Sequence, residues 1–307
     1  MSVSGSRISY EEAIAEALRL EMYRDSSVVL LGDGGAAPEL ARLFGRDRVV
    51  EDIAPAAPVV LAAAGAAGEG RRPVCEISPS GPGPLDHIAE LGALRMANGG
   101  GSAPVTLCLR FGGALADGGA AGRDPGAWLV GAPGVKVVEP VTPADAKGLV
   151  TAAIRDPEPV CVLQHTSCLG SVGMVPEGGH VVEIGRARLA REGERLTLVA
   201  HGAAVGPCER AAEEIDLDVD VLDLRSLQPL DREGILASVR KTGKLLIVEP
   251  TPSAARITAE LIGGIWEEAF EHLDAPPRRV RIDDSEIVNS TAQVEAIMEA
   301  SLELLDY

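Results

Sequence analysis

The sequence predicts an α/β protein with two doubly wound domains, and three observations favour this fold class. Short apolar runs typical of buried strands alternate with stretches of helical length along the whole chain. The alternation breaks at MVPEGGH, from Met174 to His180, which we interpret as a linker. The chain has 307 residues, 46% of them hydrophobic, which is enough to bury two cores. We therefore predict domains over residues 1–178 and 179–307.

The first half of the chain predicts a parallel sheet with intervening helices. Apolar residues recur at helical spacing over Tyr10–Arg24, and Ser9 followed by Glu12 predicts a capping box. Thr142 before a proline predicts the start of another helix. Buried strands are predicted at Val28–Leu31, Val74–Ile77, Val105–Leu109, Val135–Val138 and Val160–Leu163. Further helices are predicted at Val59–Ala67, Leu85–Met96 and Pro143–Arg155.

The second half repeats this pattern on a smaller scale and predicts a second, smaller parallel sheet. Strands are predicted at Leu196–Ala200, Val219–Leu222, Leu245–Val248 and Val280–Ile282. Helices are predicted at Ala203–Ile215, Arg232–Lys241, Ala254–His272 and Ala292–Leu305.

Composition excludes several classes of function. A net charge of −18 repels phosphate backbones and anionic membranes, so we expect no nucleic-acid partner and no membrane association. The longest apolar run, Ala54 to Gly68, is shorter than the roughly 20 residues of a membrane helix and predicts a buried helix instead. The N-terminus lacks the pattern of a signal peptide. Five cysteines without CxxC spacing are expected to be buried thiols in a reducing cytoplasm.

Three segments carry a resemblance to a known family. They are the opening YEEAIAEALRLEMYRDSSVVLLGDG, the block from Pro133 to His165 and the block from Val221 to Glu249. The chain resembles the β subunit of the decarboxylating component of pyruvate and branched-chain 2-oxoacid dehydrogenases, which belongs to the transketolase-like superfamily. The resemblance covers nearly the full length of the chain and keeps the order of the family's segments. The resemblance implies an N-terminal pyrimidine-binding-type domain and a smaller C-terminal domain of the transketolase type.

The resemblance also implies a cofactor and partners. Thiamin diphosphate with Mg²⁺ is expected at an interface, where a separate α subunit holds the diphosphate and the metal, in an α2β2 complex with contacts between the β subunits. The diphosphate motif of such enzymes is GDG followed by paired asparagines. This chain has GDG at 32–34 but no asparagine pair. We therefore expect that the chain alone binds no thiamin diphosphate and no metal.

The sequence departs from the family at the residues that face the cofactor. The family has a glutamate that hydrogen-bonds the aminopyrimidine, and its position falls here on Ala56. The family also has a histidine in a glycine-rich loop, and that position falls near Ala121. An aromatic residue that packs on the pyrimidine is replaced within EISPSGPGPLDH. The pyrimidine-side pocket is accordingly predicted at Ala56, Ser78, Pro79 and Asp86.

Two residues after this altered segment are candidate replacements for the missing acid–base groups. Asp86 and His87 are each able to exchange a proton near the cofactor or substrate. The structural alternative is that Asp86 caps a helix and His87 lies on its surface. His165 ends a buried strand, and we expect a structural hydrogen bond there rather than catalysis.

Two functional hypotheses remain open. In the first, the chain works with an α subunit as a thiamin-diphosphate enzyme that cleaves a 2-oxo acid or a ketose and transfers the acyl or two-carbon unit. The acceptor is left open among a lipoyl domain, an acyl carrier protein and free coenzyme A. In the second, the chain is a catalytically inactive subunit that serves as a scaffold or regulator of such a complex.

Overall fold

The computed structural model describes residues 5–32, 35–51, 56–77, 83–112, 124–251, 255–283 and 290–307. The chain divides into two compact units, Met1–Ile184 and Gly185–Tyr307. The division lies six residues after the boundary expected from the sequence at 178/179. Residues Val182 and Ile184 pack against the core of the first unit, so the chain leaves that unit later than the glycines of the predicted linker indicate.

The first unit is built on a parallel sheet. The strands of this unit are β1 (Gly5–Ser9), β2 (Val28–Gly32), β3 (Val49–Val50), β4 (Arg72–Ile77), β5 (Thr106–Phe111), β6 (Lys136–Val138), β7 (Val160–His165) and β8 (Val172–Pro176). Its helices are α1 (Tyr10–Arg24), α2 (Ala37–Phe44), α3 (Ala56–Gly68), α4 (Pro84–Ala97), α5 (Pro125–Leu129) and α6 (Pro143–Arg155). Parallel pairing gives the order β3-β2-β4-β5-β7-β6. This confirms the predicted α/β class of the first unit.

Helices α1 and α6 pack against one face of this sheet. Buried residues of both helices join those of the strands in a single core, among them Leu18, Leu149 and Val162. The two helices are also tied by the buried carboxylate of Glu21, which accepts hydrogen bonds from Arg155 at 2.6 and 3.0 Å. These bonds hold the pKa of Glu21 below its usual value, against the opposing effect of burial.

The capping box predicted at the start of α1 is present. The Glu12 amide donates to Ser9 Oγ at 3.2 Å, and the Ser9 amide donates to the Glu12 carboxylate at 2.7 Å. We predict that Ser9→Ala lowers the free energy of unfolding by about 1 kcal/mol, because the amide loses its acceptor at the helix start. Urea denaturation measures this change. Ser6→Ala, which removes an exposed hydroxyl and its long 3.5 Å hydrogen bond to Glu177, is the control, and equal losses in both variants would contradict the capping argument.

A two-stranded antiparallel ribbon corrects the predicted linker. Strand β1 pairs with β8 in the register Gly5↔Pro176, so the start of the predicted linker, Met174–Pro176, is strand. Gly173 and Pro176 depress the strand signal of β8 in the sequence. The partner strand lies more than 160 residues away, and no local pattern reports such a pairing.

Helix α3 differs from the buried helix expected for the run from Ala54 to Gly68. Only Val59, Val60 and Ala63 are buried, and the side chain of Leu61 is 55% exposed. With 13 residues the helix is about 20 Å long, well short of a bilayer core of about 30 Å. Within the described ranges, no helix combines the length and apolar character needed to cross a membrane.

The second unit has its own sheet. The strands of this sheet are β9 (Arg188–Arg191), β10 (Thr197–Ala200), β11 (Asp220–Asp223), β13 (Leu245–Thr251) and β14 (Arg278–Asp283). The same unit contains the short strand β12 (Ser226–Gln228), which is not part of this sheet. Its helices are α7 (Val205–Glu214), α8 (Arg232–Thr242), α9 (Ala255–Ala269) and α10 (Thr291–Leu305). The order β14-β13-β10-β11-β9 is parallel except for β9, which runs antiparallel to β11 at the edge. The prediction of a smaller parallel α/β unit is correct apart from this added edge strand.

All five cysteines are buried free thiols. They are Cys75, Cys108, Cys161, Cys168 and Cys208. Burial raises the pKa of the Cys75 thiol to about 12, and burial likewise raises the pKa of Cys161 and Cys208. The thiols are therefore protonated core side chains, as the sequence predicts, since a thiolate is strongly disfavoured away from water.

Candidate active site

The candidate site lies at the edge of the first sheet where its parallel strands end, which we call the carboxyl edge. Strands β2, β4, β5 and β7 finish there at Gly32, Ile77, Phe111 and His165. Ligands of open α/β sheets bind outside the carboxyl ends of the strands, because the loops and helix starts that follow converge there. Parts of those loops, 33–34, 78–82 and 113–123, lie outside the described residues.

The starts of α3 and α4 lie next to each other at this edge. Ala56 is the first residue of α3 and is half-buried. Gly83 precedes α4 with a φ of +107°, and a Cβ built on it would stand 3.8 Å from both Ala57 Cβ and His87 Nε2. Among the described residues, the start of α3 and the imidazole of His87 therefore both lie within van der Waals distance of a side chain at position 83.

His87 is held by a carboxylate one turn further along α4. Its Nδ1 lies 3.2 Å from Glu90 Oε2, and its side chain is 31% exposed. With Nδ1–H donating to Glu90, Nε2 faces Gly83 and the start of α3. The structure thus places His87 near the start of the helix that begins at Ala56.

Asp86 does not have the capping role considered for it, and its acid–base role stays a prediction. The residue that caps α4 is Gly83, without a side-chain hydrogen bond, so Asp86 is not the cap. Asp86 lies in the first turn with an exposed side chain, where a carboxylate is stabilised by the helix dipole. Ser78 and Pro79, predicted for the pocket, and Ala121, at the family histidine position, fall outside the described residues.

His165 is buried at the end of β7 and makes the structural hydrogen bond expected for it. Its Nδ1 lies 2.5 Å from Ser167 Oγ and accepts from the Ser167 amide at 3.2 Å. The ring packs edge-on against Phe111 with centroids 5.1 Å apart. A Cβ on Gly112 would lie 2.2 Å from His165 Nε2, so only glycine leaves room for the imidazole.

We predict that His165 makes the protein less stable in mild acid. Burial lowers the pKa of His165 below its usual 6.5, against the opposing effect of Asp124. The unfolded chain takes up a proton near pH 6.5, whereas the folded chain resists it. This contribution to stability is therefore complete above pH 6.5 and is lost as the pH falls towards the folded pKa.

The measurement is urea denaturation between pH 7.5 and pH 5. The free energy of unfolding should fall more steeply with decreasing pH in the native protein than in His165→Asn. The exposed His272→Asn is the matched control. An identical slope in the native protein and in His165→Asn would contradict the assignment.

Several residues of the site were missed by sequence reasoning. Glu90 follows His87 by three positions, and this i, i+3 spacing on a predicted helix is a signal for a paired side chain. The close approach of Gly83 to Ala57, and of Gly112 to His165, has no sequence signal beyond the glycines themselves. No cluster of three or more His, Cys, Asp or Glu side chains placed to hold a metal ion occurs among the described residues.

The fold and sequence are similar to those of known proteins. Residues 185–301 match the family described as the transketolase C-terminal domain. The chain is 35% identical to the pyruvate dehydrogenase E1 component subunit beta of Bacillus subtilis over 298 residues, 92% of each chain. It is 34% identical to the 2-oxoisovalerate dehydrogenase subunit beta of the same organism over 291 residues, 90% of this chain and 89% of that one.

Among solved structures, a split-gene transketolase, described as an inactive beta4 tetramer, superposes with a TM-score of 0.70. At 20% identity it covers 98% of this chain and 99% of that chain, so it supports the two-domain fold. The two sequence relatives support a more specific assignment than the fold alone, because each of them aligns with about nine tenths of this chain. The chain therefore belongs to the family of β subunits of thiamin-diphosphate-dependent 2-oxoacid dehydrogenases.

Proposed function

We propose that the chain is the β-type subunit of a two-subunit enzyme that cleaves a 2-oxo acid and transfers the acyl unit. In this complex it supplies the pyrimidine side of a thiamin-diphosphate site, and an α-type subunit supplies the diphosphate side with Mg²⁺. The observation that carries the proposal is the match to two E1 β subunits over nine tenths of the chain. The absence of an asparagine pair after the GDG at 32–34 supports the need for a separate diphosphate-binding subunit.

The carboxyl edge carries small side chains at the start of α3. Ala57 lies beside Gly83, and a Cβ built on Gly83 would be in ordinary van der Waals contact with Ala57 Cβ and His87 Nε2, at 3.8 Å from each. When bound, thiamin diphosphate supplies a carbon nucleophile for attack on a 2-oxo group. In the proposed complex the start of α3 would face the pyrimidine, and His87 beside it would offer a polar contact.

Exposed apolar residues on three helices of the first unit support an assembly role. Leu61 on α3, Leu94 on α4 and Trp128 on α5 are each more than half exposed. Exposed apolar side chains on neighbouring helices are typical of a surface that another subunit covers. We propose contacts with an α-type subunit and with a second copy of the chain, in an α2β2 complex.

The test is co-expression with an α-type subunit that carries an intact GDG and asparagine pair. The purified complex is assayed for thiamin-diphosphate-dependent decarboxylation of a panel of 2-oxo acids, including pyruvate and 2-oxoisovalerate. Turnover that requires both subunits supports the proposal. Micromolar binding of thiamin diphosphate by this chain alone would contradict the division of the site between two subunits.

A second function is favoured by one observation, the alanine at position 56. The methyl group of Ala56 has no proton to give at the start of α3. A subunit without an acid at the pyrimidine would act as a scaffold or regulator of the complex. A stable complex that binds the cofactor without turnover, and that gains turnover in the Ala56→Glu variant, would favour this reading.

A further inference from the structure

We propose that Arg110 and Gln164 form a carboxylate-binding site at the carboxyl edge of the first sheet, and that its ligand is a 2-oxo acid. Arg110 would hold the carboxylate through its guanidinium, and Gln164 would donate to it from Nε2. The inference rests on the proposed function for the identity of the acid. It deepens that function, because it names the side chains of this chain that would recognise the substrate.

The register of the sheet places the two side chains next to each other. Arg110 on β5 is paired with Gln164 on β7, and paired neighbours of parallel strands point to the same face of the sheet. The pair two residues earlier, Cys108 and Val162, belongs to the core that α1 and α6 share with the strands, so Arg110 and Gln164 lie on that face. Each is the last residue but one of its strand, at the edge where ligands of parallel sheets bind.

The buried amide of Gln164 is the first observation that points to a ligand. Its side chain is 0% exposed, and within the described part of the chain neither Nε2 nor Oε1 has a hydrogen-bond partner. Buried side-chain amides are nearly always hydrogen-bonded, because a lone polar group away from water raises the free energy of the folded chain. A polar ligand beside Gln164 would supply the partner that the fold does not.

The guanidinium of Arg110 is the second observation. Among the described residues its one acidic partner is Glu11, whose Oε1 lies 3.6 Å from Arg110 Nη2. That distance is longer than a hydrogen bond, and the side chain of Glu11 is 52% exposed. The side chain of Arg110 is 27% exposed, so a ligand can reach its guanidinium from solvent. A planar fork of donors matches the two oxygens of a carboxylate.

A carboxylate fits these two side chains better than a metal ion or a water molecule. The charge of Arg110 repels a cation, and a single water oxygen accepts from few of the five guanidinium donors. A carboxylate has two oxygens, so it can accept from the guanidinium and from Gln164 Nε2 together. The guanidinium keeps donors for Gln164 Oε1, so the bound acid would satisfy both ends of the buried amide.

The experiment follows the side-chain amide of Gln164 by ¹H–¹⁵N NMR of the full chain. The chain has three glutamines, at positions 164, 228 and 293, so the Gln164→Leu variant assigns the signal of interest by its loss. We expect pyruvate and 2-oxoisovalerate to shift the Gln164 amide signals with increasing concentration, while those of Gln228 and Gln293 stay in place. Sodium chloride at the same ionic strength is the control for screening of charge.

Variants separate binding from a structural role. Arg110→Gln and Gln164→Leu should each weaken binding of the acid at least roughly 10-fold, measured by calorimetry. Gln164→Leu should also unfold at a higher urea concentration than the native chain, because it removes a buried amide without a partner. Glu11→Gln should tighten binding, since it removes a competing carboxylate. The matched control is Arg210→Gln, which breaks an exposed ion pair with Glu214 and should bind like the native chain.

The outcomes distinguish this inference from the proposed function. Gln164 signals that stay in place with both 2-oxo acids would overturn the inference, as would signals that shift only when an α-type subunit is added. Either result leaves the proposed function to its own assay of the co-expressed complex. Binding of the acids that depends on Arg110 and Gln164, in a complex without turnover, would support the carboxylate site and count against the proposed function.

Discussion

Replacing Gly32 with alanine should destabilise the first unit by about 4 kcal/mol, the larger of the two effects expected here. Gly32 ends β2 with a φ of +120°, a conformation that alanine rarely adopts. A Cβ at this position would lie 2.3 Å from the carbonyl oxygen of Glu76, its partner in the adjacent strand β4. A backbone atom of a central strand has little room to yield, so the two strands would have to separate.

The matched control for Gly32→Ala is Gly70→Ala. Gly70 has a φ of +79°, but a Cβ there would meet no atom within 4 Å, so only the backbone strain of about 1 kcal/mol applies. Urea denaturation of both variants separates the two contributions. Equal losses would mean that the close approach of β2 to β4 does not limit the residue at position 32. The first glycine of the GDG sequence is therefore explained by strand packing.

Replacing Asp220 with alanine should destabilise the second unit by about 3 kcal/mol. The carboxylate of Asp220 is buried at the start of β11. One oxygen accepts from the Gly193 amide at 2.9 Å and from Lys241 Nζ at 2.7 Å, and the other accepts from Ser238 Oγ at 2.5 Å. Removing one side chain would leave three donors without their acceptor.

A nearby aspartate provides the control for Asp220→Ala. Asp218 is exposed and accepts one hydrogen bond, from the Glu194 amide at 2.9 Å. Asp218→Ala should cost less than about 1 kcal/mol, because water can replace that acceptor. Chemical denaturation of both variants measures the difference. A loss for Asp220→Ala no larger than for Asp218→Ala would show that the buried network contributes little.

Much of the fold follows from the sequence because its signals are local. The helix Pro143–Arg155 was predicted with both its ends, since Thr142 caps it and a proline occupies its first turn. Strands such as β7 can be predicted from continuous apolar runs in the sequence, because both faces of a central parallel strand are buried. Helix α2 escaped prediction, since Ala36 at its start makes no side-chain cap and its eight residues give a weak periodic signal.

The site was predicted less completely than the fold. The resemblance places the family glutamate at Ala56, and this assignment stays a prediction. The contact of Phe111 with His165 depends on the register of β5 and β7, which a single sequence does not contain. The proximity of Gly83 to Ala57 and His87 depends on how α3 packs on α4, and only the three-dimensional structure supplies that.

The buried thiols give each unit its own reporter of transient opening. Cys75 and Cys161 lie in central strands of the first unit, and Cys208 lies in α7 of the second. A thiol reagent modifies thiolates that reach water, so labelling of these side chains has to wait for local or global unfolding. Mass spectrometry of peptides after timed alkylation would therefore follow the two units separately. The ratio of the Cys208 rate to the Cys75 rate would tell which half of the chain opens more often when a partner subunit is added.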